Sequence, residues 1–398
     1  MAMNMRRRKF LKAAGVVLAG AGLVEFGART GIRPSKRFSV KRPDPDLNAF
    51  LGDIPESKQD RAIMRMSELD RLPWFERDEA GMMRLAPGAD VPPILDCHTH
   101  VGWSLGFGAD IDMTARSPVA YFFDHEIPQN LLYVQMHPTV SEAEKIAQET
   151  KWSLLRTPER NRTHTAANLL DEMNRFRHDH AILLPIEIPV HSRHLEQTRR
   201  GEQVDARLVS FGGIHPRRWS DEKEAQLAEI LEGRVRGIKF HPPFQFMAPD
   251  APDAMRMFQW CAENDVVVLT HIGFTGREPA FIRAYSEPER FIAPLRAFPK
   301  LKMIFAHTGS RARFPETLAV AKQYRDQVWL EFTGQPVPAI KQLLDEYDHE
   351  KLVYGTDWPF YPLCVSLARF LVATEGREAS RPAILRDNFA RLMNMDVT

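Results

Sequence analysis

At 398 residues, with 44% apolar and 26% charged side chains, the chain has a globular balance and enough length for one large barrel or two ordinary domains. A formal net charge of +1, with Lys and Arg spread along the chain, excludes the basic footprint of nucleic-acid binding. The three cysteines Cys97, Cys261 and Cys364 are too few and too dispersed for a disulfide framework or a thiolate zinc site, and each lies in an apolar stretch that suits buried packing.

The first 30 residues open with Arg7-Arg8-Lys9-Phe10-Leu11-Lys12 and continue into a short Ala- and Gly-rich apolar run. The run is too short and too glycine-rich for a comfortable membrane span, and the arginine pair predicts a twin-arginine export signal, hence a periplasmic or secreted protein. The plainer alternative is a short amphipathic cytoplasmic tail. No A-x-A cleavage site stands out, so retention of the segment as a membrane anchor stays open. Residues 31–92 form an extension rich in Pro, Arg and Asp, with one helix predicted from Lys58 to Leu72.

From Pro93 onward short apolar runs alternate with helical patterns, the signature of βα units and a parallel sheet. Strands are predicted at 94–98, 181–187, 207–215, 235–241, 266–271, 302–307, 328–333 and 352–357. Ser220-Asp221 caps one intervening helix and Pro315 opens another. Eight strands at this pitch, with no Gly-rich phosphate loop after the first, predict an α/β fold, a (β/α)₈ TIM barrel over 93–398. The gap after strand one is an insertion at about 101–165 that emerges where barrel active sites are built. Its Tyr121, Phe122, Phe123 and Tyr133 suit a pocket wall, an oligomer contact such as a homodimer, or a small core of the insertion's own.

Strand one ends ILDCHTH, and side chains at i and i+2 share a face, so His98 and His100 project together. One H-x-H is weak evidence for a metal. Other predicted strands, however, also finish in ionisable groups: Glu187, His215, Lys239 with His241, His271, His307 and Asp357. Packing alone does not account for buried strands ending this way.

LDCHTH, GIKFHP, LTHIG, FAHTGSRARFP and YGTDWPF, in that order, resemble the amidohydrolase superfamily, in particular its amidohydrolase-related branch that includes aminocarboxymuconate semialdehyde decarboxylase. ILRDNFARLMN at 384–394 is similar to that branch's C-terminal helix. The resemblance implies one divalent ion, most often zinc, held by His98, His100, His271 and Asp357, with His307 as the catalytic histidine. Three imidazoles, a carboxylate and a position left for water suit catalytic zinc. Zinc lowers the pKa of a bound water from about 15.7 to about 7. Asp357 then accepts a proton, and His307 orients the water or stabilises an oxyanion.

Lys239 keeps three readings open: a carboxylated lysine bridging two metals, a point charge that binds substrate together with His241, or an internal partner of Glu187. His215 is either an orienting partner of a ligand or a satisfied mouth histidine, and Trp358 fixes the turn after Asp357 with its indole as a candidate pocket wall. The expected activity is metal-dependent hydrolysis of a small carbonyl, amide or lactone-type substrate by a metal-activated water. Non-oxidative decarboxylation at the same site is the alternative, with Arg116 the candidate for holding a carboxylate. A barrel that binds without catalysis is the third reading.

Overall fold

The computed structural model describes residues 62–103, 110–134, 157–189, 192–274, 280–310 and 312–397, with isolated positions at 145, 146 and 149. The predicted export signal, the first part of the helix predicted at Lys58–Leu72 and the EAEKIAQETKWSLLR segment of the insertion lie wholly or largely outside these residues. The described residues all belong to one unit, Asp46–Thr398.

Eight parallel strands carry the architecture: β1 (Ile94–Thr99), β2 (His178–Leu183), β3 (Leu208–Ser210), β4 (Gly237–Phe240), β5 (Val267–His271), β6 (Met303–Ala306), β7 (Val328–Glu331) and β8 (Leu352–Val353). They form a three-stranded sheet β1-β2-β3 and a five-stranded sheet β8-β7-β6-β5-β4. Parallel bridges Gly212↔Ile238 and Thr99↔Trp358 join the two sheets on both sides. The bonds Gly212 N–H to Gly237 O (2.8 Å), Cys97 N–H to Tyr354 O (3.0 Å) and His100 N–H to Trp358 O (2.7 Å) carry the ladder across these seams. The fold is the TIM barrel expected from the strand pitch.

The helices that follow the strands are α1 (Ala166–Arg175), α2 (His194–Glu202), α3 (Asp221–Leu231), α4 (Pro252–Glu263), α5 (Ile292–Ala297), α6 (Phe314–Gln323), α7 (Val337–Glu346) and α8 (Leu363–Ala373). Ser220 caps α3 by accepting from Lys223 N, and Pro315 sits in the first turn of α6. Both positions suit residues that satisfy or lack an orphan N–H. Inside the barrel Leu95, Cys97, Ile182, Leu269, Ile304 and Trp329 pack together with Phe389 and Met393 of the C-terminal helix Asn388–Met393. Asn388 donates to Leu352 O at 2.8 Å, at the start of β8. The helix therefore closes the N-terminal end of the barrel and leaves the mouth at the strands' C-terminal ends.

Several strand ends differ from expectation. The ladder of β2 starts three residues earlier than predicted and stops before Pro185, which has no N–H to donate. His215, His241, His307 and Asp357 lie just past their ladders, and His307 (φ 62°) and Asp357 (φ 56°) adopt left-handed backbone that turns them away from the strand direction. Of the predicted N-terminal helix, the described part is a 3₁₀ turn, Met66–Arg71. Pro73 drives Leu72 into extended backbone and ends it there. Leu69, Phe75 and Met83 of this extension are buried in the same core as Met173 and Phe176 of the barrel.

Candidate active site

β1 and β8 meet at the mouth through two carboxylate-centred contacts. Asp96, fully buried, accepts from His98 N and Thr356 N (both 3.0 Å) and from Thr356 Oγ1 (2.5 Å), locking the two strands in register. Burial, which outweighs these bonds, pushes its pKa up to about 8. Gly355 is required beside it, because a Cβ there would stand 2.7 Å from His98 Cβ.

This register brings three donors together. His98 Nε2 and His100 Nε2 each lie 3.3 Å from Asp357 Oδ1, and 3.3 Å from one another. Around an ion with ligands at about 2.0–2.1 Å, the edge of a ligand tetrahedron is about 3.3 Å, so the triangle matches one face of such a site. The hydrogen bonds settle which nitrogens carry the ring protons. His98 donates from Nδ1 to Glu331 Oε2 (3.1 Å), and His100 donates from Nδ1 to the carbonyl of Leu184 (2.8 Å). Both rings therefore turn an Nε2 lone pair toward the shared point, as metal-binding histidines do.

Burial, then the nearby Lys239 ammonium, holds His100 at about 3 and His98 well below its ordinary value, so both rings are neutral and able to act as ligands. Burial raises the Asp357 carboxyl well above the carboxylate range, against the pull of Lys239. Two facing lone pairs beside a carboxylate are an arrangement that a cation relieves. His307 completes the group: one donor atom each from His98, His307 and Asp357 fall within 4.8 Å of one another, with His307 Nε2 4.0 Å from Asp357 Oδ2.

His271, expected as a fourth ligand, stands at the end of β5 with its ring 4.9 Å from that of His307 and stacked on His241 at 4.4 Å and 16°. Burial depresses its pKa to about 3. Gly273 lets this loop touch the one after β6, since a Cβ on Gly273 would collide with the backbone of Gly309. His241 accepts from Phe244 N on Nδ1 (3.3 Å), which leaves its ring proton on Nε2, available as a donor.

Lys239 is the side chain that sequence reasoning left most open. It is 2% exposed, and its Nζ lies 3.0 Å from His98 Nε2. Burial lowers its pKa to about 8, with Asp357 and Glu331 opposing the shift. It does not pair with Glu187, whose carboxylate accepts from Leu195 N at the start of α2 (2.7 Å). That reading is corrected: Lys239 belongs to the ligand cluster.

Two other expectations also change, and the open reading of His215 is decided. Arg116 is at the surface, its guanidinium 3.1 Å from the Asp171 carboxylate of α1. Trp358 is fully buried and donates from Nε1 to Glu172 Oε1 at 2.8 Å, so its indole anchors β8 to α1 rather than lining a pocket. His215 donates from Nε2 to Gln245 O (2.9 Å) and touches no ligand. The insertion's aromatics pack against the mouth: Phe122 stacks on Phe360 (4.3 Å, 16°), Phe123 meets Tyr361 (5.5 Å), and Trp103 bridges Phe122 and Phe244. Glu331 and Gln245 were missed altogether. Gln245 accepts from His241 N and donates to Glu187 O, tying the loops after β2 and β4. A glutamate at the end of the VWLE run was the only available signal for Glu331.

An amidohydrolase family model matches residues 191–394, just over half of the chain. The chain belongs to the amidohydrolase family, and it is an enzyme of that kind. In structure it is similar to an uncharacterized TIM-barrel protein of Bordetella bronchiseptica (TM-score 0.53, 18% identity, covering 76% of this chain and 99% of that one). It is also similar to a probable 2-pyrone-4,6-dicarboxylic acid hydrolase of Acinetobacter baumannii (TM-score 0.44, 13% identity, 76% and 100% covered). A 5-carboxyvanillate decarboxylase of Novosphingobium aromaticivorans, complexed with manganese, follows at TM-score 0.46 and 15% identity, with 57% and 79% covered. No curated protein sequence matches it significantly.

Proposed function

We propose that this chain is a metal-dependent hydrolase of small carbonyl, amide or lactone-type substrates, with one divalent ion, zinc, held by His98, His100, Asp357 and His271. The observation that supports it is the 3.3 Å triangle of His98 Nε2, His100 Nε2 and Asp357 Oδ1. A bound ion supplies Lewis acidity and a water of lowered pKa. Asp357 Oδ2, left outside the triangle and facing His307, is placed to take up a proton. His307, buried and neutral, orients the water or the developing oxyanion. His241, with its Nε2 proton free, and the Lys239 ammonium receive the substrate's oxygen atoms.

A second reading, non-oxidative decarboxylation, is favoured by one observation: Lys239 is a buried cation beside the ligands and suits a substrate carboxylate. The test is metal analysis of the purified chain followed by a screen of lactones, amides and carboxylated aromatics. About one equivalent of zinc with hydrolysis supports the first reading, and CO₂ release selects the second. A metal-free chain rejects both, and a metal-loaded chain without activity selects a binding barrel.

For residues 1–30 we propose a twin-arginine signal, tested by fusing them to a reporter and asking whether export depends on Arg7 and Arg8. Among the described residues no helix is long and apolar enough to cross a membrane.

A further inference from the structure

We propose that Glu331 is a positioning residue that couples ion binding at His98 to the placement of His307. It ends β7 and is wholly buried, and its two oxygens divide their work. Oε2 accepts both from His98 Nδ1 (3.1 Å) and from the backbone N–H of His307 (3.0 Å). Oε1 accepts from the N–H and the hydroxyl of Thr333. Four donors thus converge on one side chain from β1 and the loops after β6 and β7.

The first bond decides the His98 tautomer. With the proton on Nδ1, the Nε2 lone pair faces Asp357 and an ion; without that acceptor the proton is free to move to Nε2 and block the site. The second bond holds a backbone that does not hold itself. His307 and the following Thr308 have φ of 62° and 42°, left-handed values that side-chain-bearing residues keep only when their surroundings impose them. The clamp on this turn is completed by Gln335 Nε2 donating to His307 O (2.7 Å) and Thr308 Oγ1 donating to the Glu331 carbonyl (2.8 Å). Because one oxygen serves both the ligand and the turn, loss of that acceptor loosens the ion and displaces His307 together.

Glu331→Gln tests the idea, since an amide has one acceptor oxygen and cannot serve both pairs of donors. The inference rests on the metal-dependent reading, so the readouts are chosen to separate the two. Zn²⁺ affinity is measured by chelator competition, and exchange of the His307 amide by hydrogen–deuterium exchange on the same protein. In E331Q, Zn²⁺ binding weakens by about 10–100-fold, and the His307 amide exchanges faster than in the wild type. E331D, which keeps the carboxylate but is one methylene short, recovers part of both; should E331Q fail to fold, E331D alone decides by falling between wild type and loss. Zn²⁺ binding within about twofold of wild type, or unchanged exchange at His307, overturns the inference alone. A wild-type chain that binds no Zn²⁺ overturns the proposed function and this inference with it.

Discussion

Lys239, reaching across the barrel from β4, sets its Nζ 3.0 Å from Nε2 of His98 on β1, the same nitrogen that the proposed ion would use. The relationship separates the readings of this lysine. With a single ion, Lys239→Ala lowers kcat/KM by about 10²–10³-fold, the scale of losing one preorganised charge in a dry site, and leaves Zn²⁺ affinity unchanged or tighter because a competing ammonium is gone. Two equivalents of metal in the wild type, falling to one in K239A, identify a carboxylated bridging lysine instead. Metal stoichiometry and steady-state kinetics on both proteins check this.

His100 Nε2 lies 3.3 Å from Asp357 Oδ1 and His307 Nε2 4.0 Å from Asp357 Oδ2, and the two are assigned different duties. His100→Ala removes one corner of the 3.3 Å triangle, and the protein is expected to purify with near-zero metal. His307→Asn is expected to retain its metal while losing about 10²–10⁴-fold in kcat, the range of a lost general acid or base. Loss of metal in H307N would make His307 a ligand, which the cluster of His98, His307 and Asp357 also allows.

Trp358 and Glu172 form a buried pair at 2.8 Å that holds β8 to α1, with Leu363 N and Tyr121 Oη also donating to the same carboxylate. Trp358→Phe leaves Glu172 short of one donor, at a cost of about 1–3 kcal/mol in stability, with KM unchanged. A KM change without loss of stability would return Trp358 to the substrate pocket. Chemical denaturation and kinetics on W358F distinguish the two.

His125, His164 and His178 are buried away from the ligand cluster, and burial holds each at about 3 in the folded protein. A base whose folded pKa is depressed contributes stability that is present above its unfolded value near 6.5 and is lost as pH falls toward about 3. Each such group adds about 1.4 kcal/mol per pH unit to the loss within that window, and the other buried neutral histidines act in the same direction. The melting temperature should fall sharply between pH 6.5 and 4.5, above the usual carboxylate range, and His178→Gln should make that fall shallower. A flat melting temperature from pH 7 to 5 contradicts this.

The sequence by itself determined the barrel and which ionisable residues gather at its mouth. Parallel strands covered on both faces read as apolar runs, and their period survives in one dimension, so β1, β4, β5 and β6 lie close to where the pattern puts them. His98, His100, His307 and Asp357 were legible because ionisable groups at the ends of apolar strands are conspicuous. What only the tertiary structure decided were partnerships across the ring: Glu331 with His98, Lys239 with His98 instead of Glu187, Trp358 with Glu172, and Arg116 left at the surface. These pairs are separated by up to 233 positions, and hydrogen-bond geometry between distant strands leaves no periodic trace. The left-handed turns at His307 and Asp357 are likewise set by neighbours that hold them, since neither residue favours that backbone on its own.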